Sequence, residues 1–120
     1  MTRPHTPNHI DYIEFPLPGA DALTQSQSFF SSVFGWTYQS WGESYADTAD
    51  SGIGSGLAAD PARQAGSPLV VIYSDDLAGT REKVLAAGGT ITRDTFAFPG
   101  GWRFHFKEPS GSELAVWSDQ

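Results

Sequence analysis

The chain has 120 residues, room for one domain of ordinary size or two very small ones. Hydrophobic residues make up 39% and aromatic residues 13%, enough apolar surface for a core, which excludes a wholly disordered chain. A formal net charge of −7 argues against nucleic acid or an anionic membrane surface as partner, and the absence of cysteine excludes disulfides, zinc–thiolate sites and thiol catalysis. No apolar run reaches the roughly 18 residues that a membrane span needs, and Met1–His5 carries one base and no apolar stretch of the kind a secretory signal has. The expectation is a soluble, cytoplasmic globular domain.

The first ten residues, with Pro4, Pro7 and Asn8, read as a loose arm leading into the fold. Ile10–Phe15 reads as a strand, rich in branched and aromatic residues and closed by Pro16, Pro18 and Gly19. A helix is expected over 22–34 with Asp21 as its N-cap, Leu23, Phe30, Val33 and Phe34 near one face, Phe29 beside it, and Gly35 as its stop. Trp36 after that stop reads as core. Short strands follow at about 36–41, 45–48 and 52–57, then a linker over 60–68.

The second half repeats this order. Leu69–Tyr73 is a strand, and Asp75 or Asp76 caps a helix running to about Ala87, with Leu77, Val84 and Leu85 buried. Gly88 and Gly89 end it, and strands are expected at 90–97, 102–107 and 113–117. Each half has about 55 residues, too few to bury enough surface alone, so the two halves are expected to share one core. Strands that follow one another without helices between them indicate a mixed sheet with helices on one face.

This order, with Ile13-Glu14-Phe15-Pro16, Phe29-Phe30…Phe34-Gly35-Trp36, Gly52-Ile53-Gly54-Ser55-Gly56-Leu57 and Lys107-Glu108-Pro109-Ser110-Gly111, resembles the vicinal oxygen chelate superfamily of glyoxalases, bleomycin-resistance proteins and extradiol dioxygenases. The resemblance covers about residues 9–118. It implies an α+β fold: two paired βαβββ modules, about 9–60 and 68–118 of a single domain, form a curled mixed sheet around a cavity, with helices on the outer face. It also implies a homodimer. Metal enzymes of this superfamily draw ligands from the first and last strands of each module. Counting from the shared words puts those positions at Tyr12, near Gly56, at Leu69 and at Ala115. A divalent ion needs several N, O or S donors at ~2.0–2.6 Å, and Gly, Leu and Ala offer none, so no metal cofactor is expected.

Strand alternation extends the reading. If Tyr12 faces the cavity so does Glu14, while Ile13 and Phe15 pack on a helix. The same rule turns Leu69, Val71 and Tyr73, then Glu113, Ala115 and Trp117, to the cavity, with Leu114 and Val116 opposite. Phe104 and Phe106 match helix-packing positions of the dioxygenases, which turns Arg103, His105 and Lys107 inward. Tyr12, Glu14, Tyr73, His105, Glu113 and Trp117 are therefore the expected ligand-binding residues.

Each has a plainer reading. Glu14 and Glu113 are either solvated carboxylates or desolvated bases, and His105 is either structural or an acid–base group. Tyr73 and Trp117 are either packing or the aromatic wall of a small-molecule pocket. His5 and His9 read as surface residues of the arm; with Glu14, His105 and Glu113 they could improvise a metal site, although their spacing does not favour one. The expected function is a metal-free protein of the bleomycin-resistance kind that binds an aromatic or cationic small molecule. The alternatives are an enzyme of the superfamily (lyase, isomerase or dioxygenase type) using Glu113 and His105 as acid–base groups or unusual metal ligands, and a dimeric accessory domain whose pocket Trp117 and Trp102 fill.

Overall fold

A strand buries one side only where something covers it, and in this chain two helices provide the cover. The computed structural model describes residues 4–59 and 67–120; most of the expected linker, residues 60–66, lies outside them. The chain divides into two units, Tyr12–Leu69 in the first and Pro4–Asp11 with Val70–Gln120 in the second.

The first unit runs from β1 (Ile10–Pro16, which it shares with the second up to Asp11) through α1 (Ala20–Phe34), β2 (Gln39–Ser40) and β3 (Tyr45–Thr48) to β4 (Gly54–Ala58). The strands lie in the order β2-β3-β4-β1, with β1 parallel to β4 and the other pairs antiparallel. The parallel pair is possible because α1 and the β2–β3 hairpin make the long return between its strands. Leu23, Ala46 and Leu57 form the buried core, packed by Phe15, Leu17, Phe30 and Tyr38. Phe15 thus takes the helix side, as alternation predicts.

Details of α1 differ from expectation. The helix starts one residue before Asp21, its N-cap is Gly19 with no side-chain bond, and Asp21 sits in the first turn, where it complements the helix dipole. Gly35 ends it as predicted, in the left-handed conformation at φ 74° with its N–H on the Ser31 carbonyl. Val33 and Phe34 are more than half exposed, as is Phe29, because the sheet reaches only the stripe through Leu23 and Phe30. Trp36 is half-buried rather than core, stacked on Phe30 at 5.2 Å between ring centroids. The strand expected at 36–41 shrinks to Gln39–Ser40 because the Thr37 N–H and hydroxyl both go to the Asp50 carboxylate.

The second unit contains β5 (Leu69–Tyr73), α2 (Leu77–Ala86), β6 (Thr90–Phe98), β7 (Gly101–Lys107) and β8 (Glu113–Ser118). The order β5-β8-β7-β6, with β5 parallel to β8, repeats the first unit's plan. Asp76 caps α2 by accepting from the Gly79 N–H at 3.1 Å. Phe104, Phe106 and Val116 form the core, against which Leu77, Val84, Ile91 and Leu114 pack. Leu77 and Val84 are seven residues apart and share a face; Leu85, expected to be buried, is turned about 100° from Val84 and is 43% exposed. Both units are therefore βαβββ modules, and the α+β expectation holds. Among the described residues, no helix is long and apolar enough to cross a membrane.

Candidate functional site

In each unit the sheet surface away from the helix carries the polar chemistry. In the first, β1 pairs with β4 so that Tyr12 stands beside Gly54 and Glu14 beside Gly56. Gly56 leaves a gap, and phenols fill it: a Cβ there would overlap the hydroxyls of both Tyr12 and Tyr45. The two hydroxyls are 2.5 Å apart, and Tyr45 donates to Glu14 Oε1 at 3.2 Å. While Glu14 is ionised its carboxylate only accepts, so the Tyr45 proton points to Glu14 and the Tyr12 hydroxyl donates to the Tyr45 oxygen. Glu14 is 2% exposed. The result is a hydrogen-bonded row, Tyr12 to Tyr45 to Glu14, with a buried carboxylate at its end, an arrangement able to hold or pass a proton.

In the second unit, the rungs Tyr73–Trp117, Arg103–Trp117, His105–Ala115 and Lys107–Glu113 put these residues on the surface opposite Phe104, Phe106 and Val116. Arg103 and His105 are both buried, and Arg103 Nε donates to His105 Nε2 at 3.2 Å. That nitrogen is an acceptor in the pair, so the imidazole proton sits on Nδ1. The Arg103 guanidinium lies 5.5 Å from the Phe96 ring centre and 5.9 Å from that of Phe98, and Phe98 meets Trp117 edge to face. Tyr73 donates to Asp119 at 2.6 Å, and that bond holds its phenol above the usual range. Glu113 is half-buried and accepts from Thr92 Oγ1 at 2.9 Å. It stands four residues from Trp117, about 13 Å along β8.

The contacts of three residues escape the sequence reading. His5, expected on a loose arm, has its ring Nδ1 2.9 Å from Asp11, stacks on Tyr73 and meets Trp117 edge-on. Asp11 is 4% exposed and also accepts from the Trp117 indole N–H at 3.0 Å. Tyr45 joins Tyr12 only through the β3–β4 register. Turn residues and spacing could suggest that the arm folds back, but no local pattern names these partners. Trp102 is 45% exposed and alternates with Arg103 onto the helix side, so it does not join Trp117 in filling a pocket.

The superfamily's metal positions can be tested against this geometry. Gly56 pairs with Glu14, two residues beyond Tyr12, and Ala115 pairs with Val71, two residues beyond Leu69. The two modules therefore place these counted positions in the same diagonal relation. Leu69 and Ala115 are buried and carry no donor, and the space over Gly56 holds phenol groups. The residues present do not fit a divalent ion at these positions. Among the described residues no group of three or more His, Asp or Glu could hold one, and His9 is exposed.

No protein-family model and no curated protein matches the sequence. Solved structures do. A glyoxalase/bleomycin resistance protein/dioxygenase superfamily member from Vibrio splendidus superposes with TM-score 0.66 at 14% identity, over 94% of this chain and 99% of that one. A Mn(II)-bound glyoxalase from Novosphingobium aromaticivorans gives 0.65 at 23% identity, over 93% of this chain. The present chain spans 39% of that glyoxalase's length. A protein from Legionella pneumophila described as an NAD-dependent benzaldehyde dehydrogenase gives 0.72 at 12% identity, over 89% of this chain and 96% of that one. The chain thus has the vicinal oxygen chelate fold. Neighbours this diverse in described activity share a backbone, and the chemistry must be read from this chain's own residues.

Proposed function

We propose that the chain binds a small aromatic or cationic organic molecule on the helix-free surfaces of its modules, without a metal ion. The observation that carries this reading is Gly56: near the point where the resemblance puts a metal ligand, this sequence has a glycine whose gap two hydrogen-bonded phenols fill. In the second module Tyr73, Trp117, Phe96 and Phe98 supply aromatic wall beside the fixed polar groups of Arg103 and His105, the composition of a small-molecule site. In the first, Glu14 and the phenol pair supply a polar row of their own. The net charge of −7 favours neutral and cationic ligands over anions in the encounter.

A thermal-shift screen of aromatic cations, neutral aromatics and aromatic carboxylates, each with and without EDTA, tests the proposal. A ligand at about 100 times its Kd adds about 2.7 kcal/mol to stability. The expected outcome is a saturable upward shift from the first two classes that EDTA leaves unchanged. Stabilisation that requires added zinc, manganese, nickel or iron, or about one such ion per chain on elemental analysis, would overturn it.

A further inference from the structure

The second unit contains a niche already filled by a ring of the chain's own. We propose that the space between Tyr73, Trp117 and Asp11 is a binding site for planar N–H-bearing heteroaromatic rings of the imidazole or imidazolium class, and that the His5 side chain occupies it as a built-in ligand. The assignment deepens the small-molecule reading above and rests on it.

The His5 ring lies over Tyr73 with centroids 5.1 Å apart and planes 26° from parallel. The Trp117 ring meets it at 4.8 Å and 89°, closing a second side. At the rim, His5 Nδ1 is 2.9 Å from Asp11 Oδ1, and Asp11 is nearly inaccessible. Because an ionised carboxylate can only accept, the proton of this bond sits on His5 Nδ1. An aromatic floor, an aromatic side wall and a desolvated carboxylate are the three features that recognise a flat N–H ring, most strongly when it is cationic.

The walls are held independently of the ring. The Trp117 indole N–H is fixed on Asp11 Oδ2 at 3.0 Å, and the Tyr73 hydroxyl on Asp119 at 2.6 Å. A preorganised niche loses little entropy when a ring enters. The arm is held as well. The Asn8 N–H donates to the Tyr73 carbonyl and the Tyr73 N–H to the His9 carbonyl. Asn8 takes φ 66°, and the His9 N–H bonds back to Thr6, so the turn returns His5 to the sheet surface.

Imidazole itself is the probe. In His5→Ala, the Trp117 indole resonance in a ¹H–¹⁵N NMR spectrum should shift saturably as imidazole is added, while wild type at the same concentrations should not respond. His5→Ala with Asp11→Asn should bind imidazole at least about tenfold more weakly, since the charge-assisted bond is lost. His5→Phe, which fills the niche without an N–H donor, should not respond. A folded His5→Ala that takes up no imidazole, or takes it up equally with Asn at position 11, overturns the proposal.

If His5→Ala does not fold, the wild-type imidazole nitrogens decide the matter. His5 should hold its proton on Nδ1, whereas His9 exchanges between tautomers; His5 behaving like His9 would also overturn the assignment. The two readings fail separately. A wild-type chain that is stabilised by aromatic fragments while His5→Ala ignores imidazole loses only the niche. A His5→Ala chain that binds imidazole while wild type takes no fragment keeps the niche and loses the wider reading.

Discussion

The two modules share a strand order and a helix placement, yet their helix-free surfaces are built on opposite rules. The first closes around a glycine: Gly56 makes room for the Tyr12 and Tyr45 hydroxyls, and polar atoms fill a gap that a methyl group would deny them. At the equivalent position the second has Ala115, fully buried and paired with His105 in the ladder. There the chemistry moves outward along the strands, to Arg103 and His105 on one side and to Tyr73 and Trp117 on the other. Gly56 against Ala115, together with Tyr12 and Glu14 against Leu69 and Val71, separates a phenol–carboxylate row from an aromatic–cationic surface. Backbone duplication repeats the ladder, and in the first module the missing side chain at Gly56 leaves the room that the two hydroxyls take.

The sharpest way to break this comparison is to exchange the two small residues. Gly56→Ala drives a methyl group into two hydroxyls held by a buried carboxylate, and should cost about 3 kcal/mol by urea denaturation. Ala115→Gly removes only a buried methyl group and adds backbone freedom, and should cost about 1 kcal/mol. Equal losses would show that the phenol pair does not depend on the gap.

A second pair of variants compares the phenols. Tyr45→Phe takes a donor from Glu14, which is nearly inaccessible, and should cost about 1–2 kcal/mol. Tyr73→Phe takes a donor from the exposed Asp119, which water can serve instead, and should cost about 0.5 kcal/mol. A larger loss at position 73 than at 45 would place the buried polar row in the wrong module.

Much of this architecture is legible in the sequence because it rests on local rules. Gly35 stops α1 through its left-handed backbone, Asp76 caps α2, and alternation along β7 sorts Phe104 and Phe106 from Arg103 and His105. The face shared by Tyr12 and Glu14 follows from the same alternation. What escapes the sequence depends on contacts distant in the chain. The indole of Trp117 bonds Asp11 106 residues away, and His5 stacks on a ring in β5, so an arm with the composition of a loose segment is pinned. Tyr45 meets Tyr12 only because β3 and β4 pair in one particular register. The apolar periodicity of α1 overstates burial: Val33 and Phe34 belong to a helical stripe, yet both are more than half exposed, and the core forms around Leu23 with Phe30 packed on it.

The turns before each module's last strand differ as well, and acid pH separates them. Ahead of β4, Asp50 accepts from the N–H and hydroxyl of Thr37, thirteen residues earlier, so its carboxylate holds two distant parts of the first module together. Ahead of β8, Glu108 accepts from the Ser110 N–H and hydroxyl and from the Ser112 N–H, all within its own turn. Both carboxyls are lowered by these bonds, Asp50 chiefly by the Thr37 N–H and Glu108 chiefly by the Ser110 hydroxyl, the latter from 4.5 to about 2. A depressed carboxyl stabilises the fold above its unfolded value, and that contribution disappears as pH falls through the folded value. For Glu108 the loss therefore falls between about pH 4.5 and about pH 2. Both groups are solvent-exposed and screened, so the effects are the smallest predicted here. Glu108→Gln should lower Tm slightly at neutral pH, approach wild type near pH 2, and so flatten the acid limb of a plot of Tm against pH over that interval. Amide exchange should then divide the two turns. Glu108→Gln is expected to loosen only the turn from 108 to 112, whereas Asp50→Asn should loosen the Thr37 segment too. If Asp50→Asn left Thr37 as protected as before, the long-range tie in the first module would be incidental to its stability.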